Sequence, residues 1–179
     1  MGCHIAPNGA SIIIERVYKY LAPNGAKPAC LLKRKPFQRV TINLTRKHID
    51  QIIAHAREAS PHECCGLIGG TEDGTARTVY RARNVAADSA VTYEAAPEDL
   101  FLAQRAMRER GEELIAIYHS HPRATDPQPS QTDVRLAYYP SAVYFIVGLG
   151  SEEPCVRAFR ISEHEGWESI EYRVTDDLD

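Results

Sequence analysis

Two runs of the chain, LIAIYHS at 114 to 120 and AVYFIVGL at 142 to 149, are apolar almost without interruption. A strand with one wet face alternates apolar and polar residues, so unbroken runs of this length read as strands covered on both faces. Such strands need a sheet with a helical layer on each side.

The remaining pattern supplies those layers. Val40, Ile42 and Leu44 alternate as in a half-buried strand, and Thr45 then reads as the N-cap of a helix running to about Ala59. Ile49, Ile52, Ile53 and Ala56 form its apolar face, and Ser60-Pro61 ends it. A strand at about 64 to 68, the polar turn TEDGT and a strand at about 76 to 86 make a hairpin. Pro97, with Glu98 and Asp99 beside it, opens a second helix that runs to Arg110 and stops at Gly111. Ser130 starts a short helix to about Tyr139, and two last strands fall near 155 to 161 and 167 to 174. The order is strand, helix, two or three strands, helix, strand, helix, three strands. That order predicts an α/β fold, a mixed sheet flanked by helices on both faces.

A chain of 179 residues suits one ordinary domain. The first 37 residues stand apart, because Ala-Pro-Asn-Gly-Ala occurs at 6 to 10 and again at 22 to 26 as turn signals around an apolar and basic segment. The expected organisation is an N-terminal extension at 1 to 37, a domain at 38 to 175 and an acidic tail at 176 to 179. A net charge of -3 gives no basic face for nucleic acid. No apolar stretch approaches the roughly 20 residues that span a bilayer, so the chain is expected to be cytoplasmic and to leave membranes alone. Its five cysteines form no C-x-x-C pair and read as reduced thiols rather than a disulfide framework.

The chemistry concentrates in HSHPRATDPQPSQTD, residues 119 to 133. Residues two apart in a strand face the same way, so His119 and His121 project together at the C-terminal end of a buried strand. Open α/β sheets place their sites at that end. Imidazole pairs suit zinc, which in catalysis takes three protein ligands and leaves a position for water. Pro122, Pro127 and Pro129 turn the chain back, and Asp133 can then return a carboxylate as third ligand. Ser130-Gln131-Thr132-Asp133 is also, by itself, a helix capping box. Glu63, at the start of the earlier buried strand, is the carboxylate to move a proton if its strand lies beside that of His119.

Competing motifs fail or weaken. His62-Glu63 opens an H-E-x-x-H motif, but Gly66 occupies the second histidine position. The zinc deaminase signature is missing. A two-histidine, one-carboxylate iron site could use the same three ligands. Cys64 and Cys65 read as structural, with at least one facing the core, and His4, His48, His55 and His164 as surface residues.

Glu63, then His119-Ser120-His121-Pro122, then Ser130-x-x-Asp133 resembles the signature of the JAMM (MPN-plus) zinc metalloproteases, over about residues 38 to 175. ECCGLIGG and YEAAPEDL, the latter at 93 to 100, are similar to the small prokaryotic JAB/Mov34-type branch. The resemblance implies a three-layer, cytidine-deaminase-like JAB/MPN fold and one zinc per chain. It also implies His119, His121 and Asp133 as zinc ligands, Glu63 as general acid/base and Ser130 as donor to the oxyanion. The implied activity is hydrolysis of a peptide or isopeptide bond near the C-terminal Gly-Gly of a ubiquitin-like protein, sulfur carriers included. A metal-free binding module of the same fold, and a zinc hydrolase of a small amino-acid conjugate, are the alternatives. One departure stands out: eight residues separate His121 from Ser130, one more than is usual in that family.

Overall fold

The computed structural model describes residues 41–139, 141–162 and 166–176. The expected extension at 1 to 37 lies outside the described residues, as do Val40, His164 and most of the expected acidic tail. The elements are β1 (Asn43–Thr45), α1 (Arg46–Ala59), β2 (Cys65–Gly70), β3 (Ala76–Ala82), α2 (Pro97–Arg110), β4 (Glu113–His121), α3 (Gln131–Arg135), β5 (Val143–Gly148), β6 (Cys155–Ser162), β7 (Gly166–Ile170) and β8 (Arg173–Thr175).

Six strands form one mixed sheet in the order β3-β2-β4-β5-β6-β7. Only β4 and β5 run parallel within it, and they are the two unbroken apolar runs. Both sit in its middle, with helices on either side, as their composition requires. Ala116 and Tyr118 of β4 join Phe145 and Val147 of β5 in a core closed by Ile49, Ile52 and Ala56 of α1. Ile117, Tyr144 and Ile146 point the other way, into a core closed by Ala103 and Met107 of α2. The α/β expectation of helices on both faces therefore holds, and the three layers are in place.

Helix ends follow local chemistry. Thr45 caps α1, and the His48 ring accepts the Thr45 N–H at 3.1 Å to complete a capping box. Pro97 and two acids open α2, and Gly111 ends it in the left-handed conformation.

Four expectations are corrected. The strand around Leu44 is only three residues long, and it pairs in parallel with β8 rather than joining the main sheet. The single strand expected at 167 to 174 is two strands on two different sheets. The second hairpin strand stops at Ala82, and beyond it the chain makes an isolated bridge from Asn84 to Ala95. The helix after Ser130 ends at Arg135 rather than near Tyr139, with Leu136 as its C-cap and the Leu136 N–H bonding back to the Thr132 carbonyl at 2.9 Å.

Candidate metal centre

The site begins with strand register. β2 and β4 run antiparallel with Cys65 opposite His119. Extending that pairing by two residues sets Glu63 opposite His121. Ser120, between the two histidines and fully buried, locks this end: its Oγ accepts the Cys64 N–H at 2.9 Å and its own N–H donates to the Cys64 carbonyl at 3.2 Å. Period-two geometry sends both imidazoles to one face, where their Nε2 atoms lie 3.1 Å apart. Glu63 Oε1 lies 3.9 Å from His121 Nε2.

The bend at 122 to 129 delivers the other half. The Ala124 N–H donates to the His121 carbonyl at 3.0 Å, and the Ala124 carbonyl accepts the Gly150 N–H at 2.9 Å. Asp126 pairs with Arg157 at 2.6 Å. Gly148, at the end of β5, admits this approach: a Cβ there would lie 2.5 Å from the Ala124 carbonyl oxygen. The longer spacing between His121 and Ser130 is absorbed in this bend. α3 follows, with the Asp133 N–H donating to Ser130 Oγ at 3.1 Å and Asp133 Oδ2 accepting the Ser130 N–H at 2.7 Å. The capping box and the returned carboxylate are thus the same residue. Asp133 Oδ1 lies 3.4 Å from His119 Nε2, and Oδ2 lies 3.3 Å from His121 Nε2.

These separations have a chemical meaning. Two atoms bonded to one tetrahedral zinc-sized ion at about 2.0–2.1 Å lie about 3.4 Å from each other. The two imidazole nitrogens and the nearer Asp133 oxygen of each pair approach that separation, with a different carboxylate oxygen facing each histidine, and the three residues form a cluster that could hold a metal ion.

Burial sets the electrostatics. Glu63, His119 and Asp133 are 5%, 0% and 8% exposed. Desolvation pushes the Glu63 carboxyl up to about 7, with the nearby His121 ring opposing the rise. Burial also disfavours charge on Asp133, but the two histidines and the Ser130 side chain outweigh it and hold the carboxyl well below its usual range. His119 is lowered by desolvation, towards the neutral imidazole that ligates metals. His121, less enclosed, is raised: Asp133 and Glu63 overcome its burial.

Sequence reading missed Tyr93, whose ring stacks on that of His119 with centroids 4.5 Å apart and planes 25° from parallel. It missed Asn84 too, whose amide nitrogen donates to the Glu63 carbonyl at 2.9 Å. Tyr93 lies in the YEAAPEDL segment, so a signal was present, but nothing local says which side chain its ring meets. The surface assignment of His55 is corrected, and His48, which keeps a surface place, has a partner. His55 is half-buried against the Tyr118 hydroxyl at 2.8 Å, and the second ring nitrogen of His48 reaches the Arg77 carbonyl at 3.2 Å. Cys64 and Cys65 are both buried, and burial pushes their thiols up to about 11 and about 12. Neither is poised as a nucleophile.

A family model described as prokaryotic homologs of the JAB domain matches residues 45–162. The chain belongs to that family. This JAB-domain protein is 39% identical over 131 residues to a desampylase of Haloferax volcanii, covering 69% of this chain and 86% of that one. It is 35% identical over 99 residues to a CysO-cysteine peptidase of Mycobacterium tuberculosis, covering 55% of this chain and 67% of that one. A protein of Desulfitobacterium hafniense, solved in solution, shares 34% identity and a TM-score of 0.69 over 78% of this chain and 96% of its own. Glu63, His119, His121, Ser130 and Asp133 all fall inside the part of the JAB-domain protein that the family model matches.

Proposed function

We propose that this protein is a cytoplasmic zinc peptidase or isopeptidase that cleaves beside the C-terminal Gly-Gly of a ubiquitin-like or sulfur-carrier protein. The observation that carries the reading is the convergence of Glu63, His119, His121 and Asp133 in one buried cluster built from two strands and a helix cap. Relatives named as a desampylase and a CysO-cysteine peptidase support a hydrolase of this substrate class.

His119, His121 and Asp133 would hold one zinc. When bound, the ion supplies Lewis acidity to the scissile carbonyl and to a water. Glu63 takes a proton from the attacking water and returns it to the departing amine, which suits a carboxyl whose burial keeps its proton affinity high. Ser130 accepts the Asp133 N–H on its oxygen, and its hydroxyl hydrogen would turn to the tetrahedral oxyanion when substrate is bound. An extended Gly-Gly tail has no side chains to obstruct a narrow groove. β3 is an edge strand of the sheet, and the segment from 79 to 94 leads from it past Glu63, a route for such a tail by strand addition.

Metal content of protein purified without chelator or polyhistidine tag, compared with His121→Ala, tests the centre first. About one zinc per chain, lost in the variant, is the outcome this catalytic reading requires. A ubiquitin-like protein joined through Gly-Gly to cysteine or to a lysine side chain then tests the reaction. Turnover lost in Glu63→Gln with zinc retained supports the enzyme, whereas a pure binding module would be indifferent to that change. Fast cleavage of a free dipeptide alone would overturn the protein-substrate reading.

A further inference from the structure

Asn84 lies just past β3, and its side-chain amide is fully used. Nδ2 donates to the carbonyls of Glu63 at 2.9 Å and Thr92 at 3.0 Å, while Oδ1 accepts the N–H groups of Ala86 and Glu94, each at 3.0 Å. A primary amide offers two donor hydrogens and two lone pairs, so no capacity is left over. The Glu63 N–H in turn donates to the Ser89 carbonyl at 2.7 Å. Both backbone groups of Glu63 therefore rest on the segment from 84 to 94.

Tyr93 sits between Thr92 and Glu94, the two residues whose backbones this amide grips. Its ring packs against His119, and there the contact has a task. His119 Nδ1 is buried and has no hydrogen-bond partner among the described residues. Metal-bound histidines are ordinarily oriented by a hydrogen bond from the second ring nitrogen to a carboxylate or carbonyl. Here the ring instead meets Tyr93 face to face, 4.5 Å between centroids, and His121 edge-on at 4.9 Å.

We propose that Asn84 is a positioning residue for the metal centre: through Tyr93 it orients His119, and through the Glu63 carbonyl it fixes the base. The inference rests on the reading of His119 as a metal ligand and Glu63 as the base. Two groups separated in sequence thereby share one anchor. An aspartate at this position would keep the size and both acceptor contacts. Its second oxygen would, however, face the Glu63 and Thr92 carbonyls with like charge, and the segment carrying Tyr93 would be released.

The experiment uses the full chain and reads metal, independently of turnover. Zinc affinity is measured by competition with a chromophoric chelator, and ligand geometry by the visible bands of the cobalt-loaded protein. The proteins are wild type, Asn84→Asp, Tyr93→Phe, Tyr93→Ala and the Asn84→Asp/Tyr93→Ala double variant. Tyr93→Phe should match wild type, because the ring and not the hydroxyl makes the contact. Tyr93→Ala and Asn84→Asp should each weaken zinc by about 10- to 100-fold and alter the cobalt bands. The double variant should bind no more weakly than Tyr93→Ala, since both changes act along one path. If Asn84→Asp and Tyr93→Ala lower the melting temperature but bind zinc as wild type does, with unchanged cobalt bands, the amide only braces a loop and the inference falls. If wild type itself takes up neither zinc nor cobalt, the metal centre falls first and this inference with it, so the wild-type arm tells the two failures apart.

Discussion

The two halves of the candidate centre are built by different means. His119 and His121 hang from β4, and Glu63 stands two residues before its partner strand β2, so strand register brings their side chains together. Ser130 and Asp133 arrive through a bend of eight residues whose course depends on contacts with His121, Gly150 and Arg157. An insertion between the two histidines would send one of them to the opposite face, and the one irregularity in this strand pair lies well away from them, between Ile68 and Gly69. A bend tolerates an extra residue if its neighbours leave room. That difference explains why the residue beyond the usual family spacing lies between the second histidine and the serine.

The largest test strikes one member of each half. His121→Ala and Asp133→Ala should both reduce zinc in the purified protein to background, measured by elemental analysis. Retention in Asp133→Ala alone would mean that the strand half holds the metal unaided. Glu63→Gln should keep the metal and lower turnover of a Gly-Gly conjugate by about 10²- to 10⁴-fold. Ser130→Ala should lower turnover by about 10²- to 10³-fold, as loss of an oxyanion donor does, and stability by about 1 kcal/mol through the lost cap. A stability change without a rate change would leave Ser130 as a cap only.

Gly148→Ala addresses the bend directly. The new Cβ would meet the Ala124 carbonyl, so denaturant unfolding should show a loss of about 1–3 kcal/mol. Zinc affinity should fall as well, because Asp133 is displaced while the histidines are not. Unchanged zinc affinity would mean that α3 is held independently of the bend. The smallest effect is expected from Arg157→Ala, whose ion pair with Asp126 is partly exposed on one side and open on the other. It should cost less than about 1 kcal/mol, and less still at high salt.

The same contrast governs what could be read from the chain. β4 and β5 were legible because full burial leaves a compositional mark, and the two histidines because a strand repeats every second residue. Asp133 was legible as the acid of a capping box. Tyr93 and Asn84 were not, because their meaning comes from contacts with His119 and Glu63 across long sequence separations. The split of the last expected strand was hidden for a similar reason. Nothing in the residues from 167 to 174 announces that the chain changes partner after Ile170. His55 misled because its partner is not local: its ring meets the Tyr118 hydroxyl, 63 residues further along the chain.

β1 and β8, the first and last strands of the described domain, lie side by side and point the same way. A pull applied to the two outer ends of such a pair slides one strand past the other, loading its hydrogen bonds together instead of unzipping them singly. Any machine that drags this domain by either end meets that clasp before it reaches the sheet. Resistance to forced unfolding is governed by the unfolding rate rather than by equilibrium stability. A three-residue pairing at the margin of the fold can therefore shape how the protein withstands traction, while adding little to its resting stability.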